Sequence, residues 1–119
     1  MDLCLVGYTY RNYPMEEAFR RASSFGYSLI EVRDFIDINF KTLEGIEDAL
    51  KKAVKMAEKY EVSPLIIFRA IDIHRLSSAD DTSLLEETEA ICKLCRNYGV
   101  RVWNTRINLI DGPKSFTEA

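Results

Sequence analysis

The order of apolar segments limits the fold of this chain more than any other feature of its sequence. Short apolar or alternating runs, each long enough for one strand, take turns with longer segments that have apolar residues at helical spacing. We predict strands at 3–8, 28–33, 65–71 and 100–104, and helices at 15–25, 43–60 and 84–98. This βαβαβαβ order predicts an α/β fold with parallel strands, because such strands need crossover helices between them.

Residues typical of helix termini stand where the predicted helices begin and end. Glu16 and Glu17 follow Pro14, and acidic residues at this point suit the positive end of a helix dipole. Ser83 opens a Ser-Leu-Leu-Glu sequence that matches a capping box directly before an apolar run. Gly99 stands where a helix-ending glycine is expected.

Size and composition narrow the class of protein further. The chain has 119 residues and a mass of 13.7 kDa, so we expect one domain over residues 1–119. Its 47% hydrophobic and 29% charged residues are typical of a globular protein. A net charge of -3 argues against a nucleic-acid partner, and no apolar run reaches the length of a membrane span. Three cysteines, and an N-terminus without the basic region of a signal peptide, lead us to expect a cytoplasmic protein with reduced thiols.

Polar side chains collect just after the predicted strands, at the edge where α/β folds bind their ligands. Guanidinium groups suit phosphate or carboxylate there, because they are planar and donate several hydrogen bonds. We therefore expect a site for an anionic small molecule at this edge. The candidate site residues are Tyr8, Glu31, Arg33, Arg69, His74 and Arg106. In the alternative interpretation, the arginines pair with Glu31, Asp34 and Asp72 and only fix the loops.

Glu31 is the most informative carboxylate because it lies in the middle of the second predicted strand. A buried carboxylate has to be paired or protonated. Glu31 is therefore expected to accept a hydrogen bond from a substrate, to lie next to a metal, or to form a structural ion pair. The arginines available for such a pair are Arg33, Arg69 and Arg101.

Histidine and cysteine give weaker signals. His74 is the single histidine, and a metal site needs further donors, so we expect an exposed loop residue. Cys92 and Cys95 form a C-x-x-C sequence, but they fall in the last turns of a helix, where the dipole disfavours a thiolate. We expect both Cys95 and Cys4 to pack in the core.

Aromatic residues cluster after the first two strands, where they suit either stacking on a sugar or closure of the hydrophobic edge of the sheet. We expect the second arrangement. The residues are Tyr8, Tyr10, Tyr13, Phe35 and Phe40.

Four segments of the chain resemble one known family. The first is Pro14–Phe19, and the second is Phe25–Val32, in which Glu31 matches an inward-facing glutamate of the family's second strand. The others are the helix–strand units 57–68 and 90–102. Together they resemble the sugar phosphate isomerase/epimerase family, the xylose isomerase-like TIM barrels.

The resemblance implies a partial TIM barrel. A complete (β/α)8 barrel takes about 250 residues, so this chain would form a half TIM barrel, either N-terminal or internally shortened. Residues 115–119 resemble the first turn of another helix, and we expect a truncation at the C-terminus. A half-barrel leaves open sheet edges, which favour a homo-oligomer.

The resemblance also implies a reaction and a cofactor. The family acts on sugars and sugar phosphates by proton transfer next to a carbonyl, with a divalent metal (Mn, Mg, Co or Zn). Glu31 would act on the substrate side, with Arg69 and Arg106 as anion contacts. Thr105 stands where the family has a metal-binding glutamate, and Arg69 where it often has histidine, so most catalytic and metal-binding residues would be absent from this chain. The alternative is a non-catalytic α/β half-barrel that binds an anionic small molecule or self-associates.

Overall fold

Four parallel strands form one sheet in the computed structural model, which describes residues 3–72 and 81–108. The strands are β1 Cys4–Leu5, β2 Leu29–Val32, β3 Ser63–Asp72 and β4 Val102–Asn108. The described helices are α1 Met15–Ser24, α2 Leu43–Tyr60 and α3 Asp81–Asn97. Strands that are adjacent in the chain are adjacent in the sheet, which is the order found in a TIM barrel. The predicted α/β fold with parallel strands is confirmed.

The helices begin and end close to their predicted positions. α2 has the predicted bounds, and the Thr42 hydroxyl caps it by accepting a hydrogen bond from the Gly45 N–H at 3.0 Å. Phe25, which we predicted on the apolar face of α1, is 60% exposed because it follows the last helical residue. α3 begins at Asp81, so Ser83 lies inside the helix. The prediction that Ser83 precedes this helix as its cap is wrong.

The strands differ more from the prediction. β1 ends at Leu5 and does not reach Tyr8, because residues Gly7–Tyr10 turn away from the sheet as a 3-10 helix. β4 starts at Val102, later than predicted, and continues to Asn108. The predictions for His74 and for residues 115–119 lie outside the described residues.

The core lies between the sheet and the helix layer. Ile30 and Val32 of β2 are fully buried in one cluster with the apolar faces of the helices. These faces consist of Met15, Ala18, Phe19 and Ala22 in α1 and of Ile46, Ala49, Leu50 and Ala53 in α2. Ile91 and Cys95 of α3 join the same cluster, as predicted for Cys95. Among the described residues, none of the helices is both long and apolar enough to cross a membrane.

A loop carboxylate ties α1 to α2. Pro14 precedes α1 and offers no side-chain cap, so the first N–H groups of the helix need another acceptor. Asp37, in the loop between β2 and α2, accepts a hydrogen bond at Oδ1 from the Met15 N–H at 2.9 Å and another at Oδ2 from the Lys52 ammonium. Burial tends to raise the pKa of Asp37, but these two hydrogen bonds outweigh it and hold the pKa below its ordinary value. The ionised carboxylate therefore positions both helices.

Gly7 is buried where the chain leaves β1, and it packs directly on the end of β2. A Cβ atom built on Gly7 would lie 2.5 Å from the Glu31 carbonyl oxygen and 3.2 Å from the Arg33 Cγ and the Phe35 Cζ atoms. No side chain fits in this space. Gly7 thus allows the turn after β1 to approach the carboxyl end of β2, where candidate site residues lie.

Replacing Asp37 by alanine is expected to lower the free energy of unfolding by about 1 kcal/mol, the usual cost of losing a helix cap. Because the pKa of Asp37 is lowered by folding, its contribution is fully present above the unfolded value near 4 and disappears as the pH falls through the folded value. Chemical denaturation at several pH values measures this. The difference between wild type and D37A should shrink below about pH 4, and a difference that does not change with pH would contradict the assignment. Asp48→Ala, an exposed acid of α2, is the control.

Replacing Gly7 by alanine is expected to lower the free energy of unfolding by about 1–3 kcal/mol, because the new Cβ meets backbone and forces a shift. Chemical denaturation measures the loss. An unchanged free energy of unfolding in G7A would show that the turn does not pack on β2 as described.

Candidate functional site

The carboxyl ends of β1 and β2 bring three of the candidate residues together. Tyr8 lies in the turn after β1, Glu31 lies in β2, and Arg33 follows β2 directly. Glu31 and Arg33 are 5% and 7% exposed, whereas Tyr8 is 49% exposed. These residues occupy the edge at which α/β folds bind ligands, and their role in binding stays a prediction.

Glu31 follows a shift in the pairing of β2 with β3. Ile30 pairs with Pro64, whereas Glu31 pairs with Ile66, so Leu65 is an extra residue in β3. Such a bulge re-aims the side chains next to it and is common beside active sites. The alternation of apolar and polar residues along β2 does not predict this shift, because the extra residue belongs to β3.

The face of the sheet opposite the helices carries both Glu31 and Cys4. Cys4 pairs with Leu29, and Leu29 shares a face with Glu31 because residues two apart in a strand point the same way. Cys4 is therefore half-buried on this face, away from the core between the sheet and the helices. The prediction that Cys4 packs in the core is wrong. Burial, and in second place the Glu31 carboxylate, raises the pKa of the Cys4 thiol above its ordinary value. The thiol stays protonated at neutral pH, which argues against a nucleophilic role.

Arg33 has an acidic neighbour in the next residue. Its Nε atom lies 3.3 Å from the Oδ1 atom of Asp34, whose side chain is 58% exposed. The alternative expectation that Arg33 pairs with Asp34 is confirmed. An ion pair with a solvated carboxylate contributes little free energy, so this contact alone does not explain why Arg33 is buried.

The Tyr8 ring contacts two guanidinium groups. The Cζ atom of Arg11 lies 4.1 Å from the ring centre, and the Cζ atom of Arg33 lies 5.2 Å from it. Both distances are within the range of cation–π attraction. Arg11 also donates a hydrogen bond from Nη1 to the Tyr8 carbonyl oxygen at 3.0 Å. Arg11 was not among the candidate residues, and its three-residue spacing from Tyr8 would have indicated it only if the tight turn had been predicted.

The aromatic residues divide into two groups. Phe35 and Phe40 are 1% and 6% exposed and belong to the core, as predicted. Tyr8 and Tyr13 are 49% and 51% exposed, so the expectation that they close the hydrophobic edge is wrong. Tyr8 is exposed because the 3-10 turn carries it away from the sheet. Tyr10 of this turn packs against Tyr13, with the ring centres 6.0 Å apart and the ring planes at 64°.

Arg69 and Arg106 lie on neighbouring rungs of β3 and β4. Arg69 pairs with Thr105, and Arg106 pairs with Ala70. The side chains of these residues, and the whole of His74, lie outside the part of the chain that the structure describes. Their proposed contacts with an anion stay predictions.

Metal donors do not come together in the described part of the chain. Among the residues whose side chains the structure describes, no group of three His, Cys, Asp or Glu is placed to hold an ion. Burial, and in second place the charge of Cys92, raises the pKa of the Cys95 thiol to about 11, and a protonated thiol is a poor ligand. The described donors therefore do not fit the divalent metal that the resemblance implies.

Comparison with known proteins concerns the fold. No family model matches the chain, and no curated protein matches it. The chain is similar to a solved structure described as the IOLI protein with a binding zinc atom, with a TM-score of 0.59 and 21% sequence identity. The similarity covers 88% of this chain and 37% of that chain. The chain therefore has a partial xylose isomerase-like fold, and it spans little more than a third of the length of this structural neighbour.

Proposed function

We propose that this chain forms a substrate-binding part of a sugar or sugar phosphate isomerase/epimerase with a xylose isomerase-like barrel. The observation that supports the proposal most is the burial of Glu31 at the carboxyl end of β2, where the resemblance puts a substrate-side glutamate. This end of the strand is the edge at which α/β folds bind their ligands.

Glu31 acts in this proposal as the acceptor for a sugar hydroxyl group. An ionised carboxylate only accepts, and its hydrogen bonds are shorter and stronger than those between neutral groups. Tyr8 supplies an exposed ring with an apolar face and a hydroxyl group, a combination that suits the amphipathic surface of a sugar. Arg33 adds a positive charge beside the Tyr8 ring.

The remaining chemistry has to come from strands that complete the barrel. Proton transfer next to a carbonyl uses positioned acid and base groups, and Glu31 is the one buried carboxylate among the residues whose side chains the structure describes. In the proposal, this chain binds and orients the sugar. The acid/base partner and the donors for a divalent metal lie on other strands.

A second candidate is a non-catalytic half-barrel that binds an anionic small molecule. It is favoured by Arg69 and Thr105, which pair across β3 and β4. The resemblance puts a metal-binding glutamate at Thr105 and often a histidine at Arg69, and threonine does not replace a charged oxygen ligand. Exchange of the sugar proton next to the carbonyl with D2O, followed by NMR in a barrel that the missing strands complete, separates the two functions. Exchange supports the isomerase/epimerase, and binding without exchange supports the module.

Replacing Glu31 by glutamine is expected to weaken sugar phosphate binding while the chain stays folded. A hydrogen bond to a charged group is worth about 1.5–3 kcal/mol, so the affinity should fall about ten-fold or more. Isothermal titration calorimetry with a panel of pentose and hexose phosphates measures the affinity, and circular dichroism checks the fold.

The matched control is Glu58→Gln, which removes an exposed carboxylate from α2. It should bind as wild type does. Equal affinities of E31Q and wild type would remove Glu31 from the site. Equal losses in E31Q and E58Q would trace the effect to net charge and not to the position of Glu31.

A further inference from the structure

One flank of α3 is exposed to solvent along most of the helix. Its residues follow each other at a spacing of four, three and four, which places them on one face. They are Leu85, Glu89, Cys92 and Arg96, and all four are exposed. The apolar side chain of Leu85 is 63% exposed. A single exposed leucine is ordinary on a protein surface, so the surfaces that it could contact decide its role.

A groove with apolar walls lies beside this flank, between the end of α3 and the start of β4. Its volume is about 310 Å³, and it is lined by Cys92, Cys95, Arg96, Val100, Arg101 and Val102. Val102 is 43% exposed there, and the two arginines add positive charge. The groove therefore suits an apolar side chain that has acidic residues as neighbours.

Charge is divided between the two halves of α3. The first half carries the acidic residues Asp81, Glu86, Glu87 and Glu89, and the second half carries the basic residues Lys93 and Arg96. Glu89 and Arg96 are separated by about 10 Å along the helix axis, which is too far for an ion pair within one chain. Two parallel copies of α3 would bring like charges together, whereas two antiparallel copies bring opposite charges together. The helix is thus complementary to itself in the antiparallel orientation.

We propose that this flank of α3 and the groove beside it bind a second copy of the chain, with the two α3 helices packed antiparallel. A two-fold axis between residues 92 and 93 brings Arg96 opposite Glu89 of the second copy. It also brings Leu85 to the level of Val100, so that Leu85 enters the groove of the second copy. Because a two-fold axis repeats every contact, both grooves are filled and both charges are paired.

Sedimentation velocity over a series of protein concentrations measures the association. The wild-type chain should reach twice the mass of 13.7 kDa. Leu85→Gln should raise the dissociation constant of the dimer about ten-fold or more, because it removes an apolar side chain from both grooves at once. Phe25→Gln is the matched control, since Phe25 is 60% exposed after the end of α1, and it should associate as wild type does.

Charge reversal tests the orientation of the two helices. Arg96→Glu and Glu89→Arg each place like charges opposite each other, so each should weaken the dimer. The double variant restores opposite charges and should recover association, while circular dichroism checks that all three variants stay helical. Weakening in both single variants without recovery in the double variant would overturn the antiparallel arrangement.

Cys92 lies next to the proposed two-fold axis, so its thiol should lie close to that of the second copy. Cys92 is exposed, whereas Cys95 is buried and Cys4 is half-buried. A short bismaleimide should therefore link two copies of the wild-type chain, and Cys92→Ser should prevent the link. A link that persists in C92S would put the contact on another surface and overturn the inference.

A wild-type chain that stays monomeric at every concentration would also overturn the inference. The flank would then be left to another element, such as the next helix of a complete barrel. A dimer that neither L85Q nor R96E weakens would overturn it as well. The inference goes beyond the proposed function, because Glu31 lies on the face of the sheet opposite the helices. E31Q should therefore form the dimer as wild type does, so failure of the inference and failure of the proposed function can be told apart.

Discussion

The close contact between Gly7 and the end of β2 is the constraint on which the candidate site depends. Because Gly7 has no side chain, its backbone packs close to the Glu31 carbonyl oxygen, and the turn after β1 lies on the end of β2. The Tyr8 ring is thereby placed beside Arg33, and the same ring orients Arg11. One residue without a side chain thus brings the turn after β1 and the end of β2 together in one cluster.

The other face of β2 carries apolar side chains that are buried against the helices. Full burial of Ile30 and Val32 contributes about 1.5–3 kcal/mol for each side chain. This burial fixes β2 against the helix layer, and Glu31 is thereby held on the opposite face of the sheet. Asp37 keeps that layer in place by binding α1 and α2 at once.

Features that depend on residues close in the chain could be predicted from the sequence. The 18 residues of α2 were placed correctly because its apolar face and polar face alternate over several turns. Gly99 adopts a φ of 78°, as expected for a glycine that ends a helix. Glu31 was singled out because a charge inside a short apolar strand requires a reason.

Features that depend on contacts between distant segments could not be predicted. The early end of β1 follows from the packing of Gly7 on β2, and the bulge at Leu65 follows from the register of β2 and β3. Neither feature changes the spacing of apolar residues along the sequence. Arg11 was missed for the same reason, since its contact with the Tyr8 ring exists only once residues Gly7–Tyr10 form a tight turn.

The central claim is that the carboxyl ends of β1 and β2 form the ligand site of a partial xylose isomerase-like barrel. An NMR titration of the 15N-labelled chain with a hexose phosphate tests it most directly. The account predicts that amide shifts change at Tyr8, Arg11 and Glu31, while Ser28 and Ser63, whose backbones are hydrogen-bonded at the opposite ends of β2 and β3, stay unchanged. Shift changes centred on Ser28 and Ser63, or a spectrum without changes at saturating ligand, would contradict it.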